Sequence, residues 1–145
     1  MYQKALVAVD GSQPSFDAVA AARDLAQAGS VKAILLIHVI NIPNIPVVAD
    51  TLGMTYIPPH YPEELLAFAQ QVLDQARELL GPQIPVQTEI EYGSPAEIIL
   101  QVIEKQHCDL VIIGNRGLGG LQRLLLGSVS GHVVSHAPCS VLVVK

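Results

Sequence analysis

Two short stretches, KALVAVD at 4–10 and DLVIIG at 109–114, are almost continuously apolar. A strand with one wet face alternates apolar and polar residues, whereas a strand covered on both faces has no place for a charge in its middle. Runs of this kind require helices above and below the sheet, and they imply parallel strands joined by crossovers. KAILLIHV at 32–39 and SVLVV at 140–144 repeat the pattern.

The intervening segments supply the helices. SQPSFDAVAAARDLAQAG (12–29) puts Ser12 and Pro14 at a helix start and Gly29 at its end. PEELLAFAQQVLDQARELLG (62–81) has Pro62 in its first turn and Glu63 and Glu64 at the positive end of the helix dipole. Ser94-Pro95-Ala96-Glu97 reads as a capping box opening a helix that runs to about Gln106, and GSVSGHVVSHA (127–137) as a fourth helix. PVQTEIEYG (85–93) sets Val86, Thr88, Ile90 and Tyr92 against Gln87, Glu89 and Glu91, the period-two pattern of an edge strand with one wet face. The order β-α-β-α-β-α-β-α-β predicts an α/β sheet with helices on both faces. Ligands bind to such sheets beyond the carboxyl ends of the strands, where the strand order reverses.

A chain of 145 residues, half of them hydrophobic, is the size of one domain over 1–145 with a single sizeable core. Its apolar runs are far shorter than the roughly 18 residues of a membrane span, and the N-terminus has no export-signal pattern, so a cytoplasmic protein is expected. Cys108 and Cys139 form no CxxC and suit a reducing compartment, without a disulfide. The net charge of −5 argues against general binding to nucleic acid or anionic membranes. That charge is unevenly spread. All thirteen acidic residues lie at or before Asp109, while Arg116, Arg123 and Lys145 are the only charged side chains after it.

The connection over 40–61, with Pro43, Pro46, Pro58 and Pro59, has no clear period and is long for a loop. It reads as a mobile surface segment, or as a lid, since it follows the second strand at the ligand end of the sheet. The cationic stretch GNRGLGGLQRLLLGSVSG at 114–131 holds six glycines and two arginines. It starts where the buried strand at 109–114 stops, and its glycines let backbone amides approach a ligand; phosphate is the natural guest. A P-loop is excluded because no lysine follows Gly119, and GxGxxG is absent as well. What remains is Gly114-x-x-Gly117, nine residues, then Gly127-Ser128.

These residues resemble the nucleotide-binding branch of the universal stress protein family, marked by G-2x-G-9x-G-[ST]. VAVDGS (7–12), LLIHVI (35–40), GSPAEIIL (93–100) and the block from 114 to 144 carry the resemblance across the whole chain. It implies an open five-stranded parallel sheet of order 3-2-1-4-5, of the adenine nucleotide alpha hydrolase-like kind, with ATP over the ends of the first and fourth strands. By the same resemblance Asp10 meets the ribose or the Mg²⁺ and phosphates, and the Val39 backbone meets adenine. Gly114, Asn115, Arg116 and Gly117 border ribose and phosphates, and Gly127, Ser128, Val129 and Ser130 give amides and hydroxyls to the phosphate chain. Gly131 departs from many relatives and should loosen the first turn of its helix.

The implied function is an ATP-binding, regulatory stress-response module in which nucleotide state biases contacts with protein partners and hydrolysis is slow or absent. Two alternatives are a genuine ATPase or adenylate-handling enzyme, and a module for AMP or a cyclic nucleotide. The last strand as an uncharged edge invites a partner, and the resemblance implies a homodimer through 140–144. Plainer readings exist for some residues: Asp10 as the cap of a turn, His38 as a satisfied core histidine, and His132 and His136 as a helical pair without a third metal ligand.

Overall fold

The computed structural model describes residues 1–41, 61–115 and 126–145. Its elements are β1 (Tyr2–Ala8), α1 (Gln13–Gln27), β2 (Val31–Ile40), α2 (Tyr61–Leu80), β3 (Val86–Tyr92), α3 (Pro95–Gln106), β4 (Leu110–Gly114), α4 (Ser128–His136) and β5 (Ser140–Val144). The five strands form one parallel sheet of order β3-β2-β1-β4-β5. The alternation of elements and the strand order expected from the sequence both hold.

The apolar runs are apolar because both faces are covered. Ala5, Val7, Ile34, Leu36, Leu110 and Ile112 point to one side, where Val19, Ala22, Leu73 and Ala76 of α1 and α2 close over them. Leu6, Leu35, Ile37, Val111 and Ile113 point to the other, against Ile99, Val102, Ile103 and Val133 of α3 and α4. Successive residues of each central strand thus belong to opposite cores, as the period of a strand requires. Truncating a fully buried member such as Leu35 or Leu6 to alanine costs about 2–5 kcal/mol.

Three local expectations change. β1 ends at Ala8 rather than at Asp10: Val9 keeps one rung, its N–H to the Ile37 carbonyl, and Asp10 leaves the ladder and is free to shape a site. Ser94 is the N-cap of α3, but its side chain makes no capping hydrogen bond. The supposed wet face of β3 is not wet throughout: Gln87 is exposed, but Glu89 is part-buried against α3, where its Oε1 accepts from Gln106 Nε2, while Oε2 is buried without a partner among the described residues.

Candidate functional site

The β1–β4 ladder stops at Val7 opposite Ile112, and α1, which follows β1, packs on one face of the sheet while α4 packs on the other. The cleft this opens at the carboxyl end of the sheet has a volume of about 570 Å³, within the range of about 300–1,000 Å³ usual for small-molecule sites. Asp10, Val39, Gly114, Gly127, Ser128, Val129 and Ser130 line it, so seven residues assigned from sequence meet in one cavity.

Asp10 has two jobs. Its Oδ1 accepts from the backbone N–H of Ser12 at 2.9 Å and from the Ser12 hydroxyl, holding the turn that starts α1. The Asp10 N–H in turn donates to Ser15 Oγ at 3.3 Å, whose own proton goes to the Ser12 carbonyl at 2.8 Å. The plain reading of Asp10 as a turn cap is therefore correct for Oδ1. Oδ2 makes no hydrogen bond among the described residues, so the carboxylate keeps one oxygen for a ligand.

Asn115 ties three elements together. Its N–H donates to the Val144 carbonyl at 2.7 Å, and its carbonyl accepts from Gly127 N–H at 2.9 Å and from Ser130 Oγ at 2.7 Å. The end of β4, the end of β5 and the start of α4 are thereby pinned at one residue. Asn115 is buried, and its Oδ1 has no hydrogen-bond partner among the described residues. Ser130 spends its hydroxyl proton on this brace rather than holding it for a phosphate.

The start of α4 is the polar end of the cleft. The first N–H groups of any helix lack intrahelical acceptors, and a Ser, Thr, Asn or Asp N-cap normally satisfies one of them. Here the N-cap is Gly127, which has no side chain to offer, and no side-chain cap forms. The amides of Ser128, Val129 and Ser130 precede Gly131, whose N–H is the first to bond within the helix, to Gly127 O at 2.8 Å. Gly127 N–H itself is committed to Asn115.

Sequence reasoning missed the rest of the wall. Ser15, His38, Asn41, Leu65, Phe68, Pro95 and Ile99 also line the cavity. His38 is buried as expected, with Nδ1 2.8 Å from the Val9 carbonyl, and its ring meets Phe68 edge-on with centroids 5.8 Å apart. Phe68 carries no local signal in an amphipathic helix. Only the crossing of α2 over the end of β2 turns it into a site residue.

Arg116 and Gly117 lie outside the described residues, as does the segment expected as a lid, apart from its ends. His132 and His136 stack at 4.2 Å with His136 Nδ1 on the His132 carbonyl at 2.9 Å. Among the described residues no three His, Cys, Asp or Glu side chains gather to hold a metal. No helix among them is long and apolar enough to cross a membrane.

Comparison with known proteins agrees with this architecture. The model of the universal stress protein family matches residues 1–145. A universal stress protein of Thermus aquaticus is 37% identical over 149 residues, covering 100% of both chains. UspA from Lactobacillus plantarum superposes with a TM-score of 0.78 at 27% identity, over 99% of this chain and 98% of that one. A universal stress protein solved in complex with cAMP gives a TM-score of 0.66 at 25% identity, over 99% of this chain and 97% of that one. The chain belongs to the universal stress protein family.

Proposed function

We propose that the cleft binds an adenine nucleotide, ATP with Mg²⁺ foremost, and that the bound state regulates contacts of a cytoplasmic stress-response module with other proteins. The observation that carries this reading is the glycine-capped start of α4. Three amides in a row have no acceptor among the described residues, they stand at the positive end of a helix dipole, and they border a cavity of nucleotide size. The solved relative with cAMP supports the choice of an adenine ligand.

The residues present fit a metal held through the phosphates. Asp10 offers one uncommitted carboxylate oxygen, a hard ligand of the kind Mg²⁺ takes, and the other ligands then come from phosphate oxygens and water. Bound Mg²⁺ would neutralise phosphate charge beside Asp10, which would otherwise repel the triphosphate. Arg116, next to the described end of β4, is the cation assigned to the same phosphates.

Titration calorimetry with Mg-ATP, AMP, cAMP and adenosine tests the reading. The informative variant is Ser128→Pro. Proline is accepted at the first position of a helix, and Gly127 has an extended backbone with ψ 164°, the conformation that a following proline favours. This change removes one amide donor and leaves the helix. Phosphate-bearing ligands should lose about tenfold in affinity, the worth of roughly one charge-assisted hydrogen bond, while adenosine loses little. Ser128→Ala, which keeps the amide, should stay within about threefold. Wild-type protein that takes up none of these ligands overturns the proposal.

The same proposal includes a homodimer through β5. That strand pairs with β4 alone among the described residues, and its Leu142 is exposed, as is Val134 on the neighbouring α4.

A further inference from the structure

Val9 and Val39 stand where the β1–β2 ladder runs out. In a parallel strand both backbone groups of a residue face one neighbour, and those of the next residue face the other. The Ile40 carbonyl accepts from Gly93 N–H at 3.0 Å, on the β3 side, and the Ile37 carbonyl accepts from Val9 N–H at 2.9 Å, on the β1 side. Val39 therefore directs its N–H and C=O toward β1, one step beyond the last rung. The acceptor that would continue the ladder is the Val9 carbonyl. It is taken instead by the side chain of His38, at 2.8 Å from Nδ1. A carbonyl only accepts, so Nδ1 carries the proton, and in the neutral ring Nε2 is the bare nitrogen. No backbone hydrogen bond joins Val39 N–H to Val9 among the described residues, and Val39 lines the cavity.

We infer that His38 is a positioning residue: by occupying the Val9 carbonyl it keeps the Val39 N–H off that acceptor, and because β1 has ended the Val39 C=O has no rung there either, so both face the cleft as a donor and acceptor for the edge of a flat heterocycle. This rests on the adenine-nucleotide reading. An adenine edge presents an acceptor nitrogen beside an amino donor and suits that pair. Hypoxanthine presents a ring N–H beside a carbonyl, the reverse order. His38 thus sets base selectivity without touching the ligand. Phe68, edge-on to the imidazole, restricts the ring to the orientation that reaches Val9.

Three variants separate this role from simple packing. An asparagine amide nitrogen reproduces the position of Nδ1, a glutamine nitrogen that of Nε2, and alanine neither. AMP and IMP are the probes. His38→Asn should hold its AMP affinity within about threefold of wild type and keep the preference for AMP over IMP. His38→Gln and His38→Ala should lose about tenfold for AMP and most of that preference. A ligand-free reading comes from amide hydrogen exchange. In the wild-type protein Val39 N–H should exchange much faster than Ile37 N–H, and in His38→Ala it should slow as it takes over the Val9 carbonyl. Slow exchange at Val39 in the wild-type protein overturns the inference even if the alanine variant fails to fold. Folded glutamine and alanine variants that bind AMP with unchanged affinity and selectivity overturn it too, and leave the nucleotide reading standing. Wild-type protein that binds neither AMP nor Mg-ATP sinks both.

Discussion

Gly114 sits beneath the first turn of α1 so closely that a β-carbon added to it would lie 2.6 Å from the Pro14 carbonyl oxygen and 2.7 Å from the carbonyl carbon. Glycine at 114 is thus demanded by the packing of α1 on the end of β4. The clashing atoms are backbone and cannot swing aside. Gly114→Ala should lower stability by about 1–3 kcal/mol, the usual cost of overpacking, and a melting curve reads it directly. A variant as stable as the wild type would show that α1 is not seated as described.

Gly131 is the opposite case. Among the described residues a β-carbon there meets only Leu126 Cβ at 3.6 Å, an ordinary contact, inside a helix whose (i, i+4) bond from Gly131 N–H is already made. Gly131→Ala should stabilise by about 0.5–1 kcal/mol through the lost freedom of the unfolded chain. The gain should appear as a rise in the denaturation midpoint at unchanged slope.

The thiols should be quiet. Burial pushes Cys108 up to about 11, and burial followed by the nearby Asp109 charge raises Cys139 as well. Only thiolates react, so alkylation of Cys108 at pH 8 should be roughly a hundredfold slower in the native protein than in the unfolded chain. Cys139, less buried, should be labelled first. Mass spectrometry after a timed pulse of iodoacetamide gives both rates, and equal labelling of native and unfolded chains would contradict the burial.

Asp109 links stability to pH. Burial pushes its carboxyl up, but the backbone N–H groups of Gln3 and Lys4, at 2.9 and 3.0 Å, pull it down further, and the net shift is below the ordinary carboxylate value. A depressed pKa contributes stability above the unfolded value, near about 4, and that contribution is lost as the pH falls through the folded value. Asp109→Asn should therefore cost about 1 kcal/mol at pH 7 and progressively less below pH 4. A gap between wild type and variant that stays constant from pH 7 to pH 2.5 would rule this out.

The dimer has its own test. Light scattering at micromolar protein should return twice the chain mass, and Leu142→Lys, which puts a charge on the exposed strand edge, should return one. A wild-type monomer contradicts the proposed interface.

Most of the fold was legible because its signals are local and dense. The strands at 32–39 and 109–114 have no polar surface to spare, and Ser12, Pro14 and Gly29 bracket α1 as caps do. Three glycine and serine positions of the site, 114, 127 and 128, were legible through their spacing and Ser130 through the resemblance, although neither reveals that Gly114 serves α1 or that Ser130 braces Asn115. His38 and Phe68 were not legible as a pair. They lie 30 positions apart on different elements, and their meeting depends on how α2 crosses β2. The capping box at Ser94 failed for a related reason: the residue types permit the side-chain bond, but they do not compel it.

The central claim is that a phosphate-bearing adenine ligand docks on the first amides of α4 and on Val39. Backbone amide shifts followed during titration with AMP test it most directly. The account predicts that Ser128, Val129, Ser130 and Val39 move most and saturate together, with Gly127 N–H, committed to Asn115, moving less. Saturable binding that leaves those four amides in place and shifts another face of the protein would contradict it.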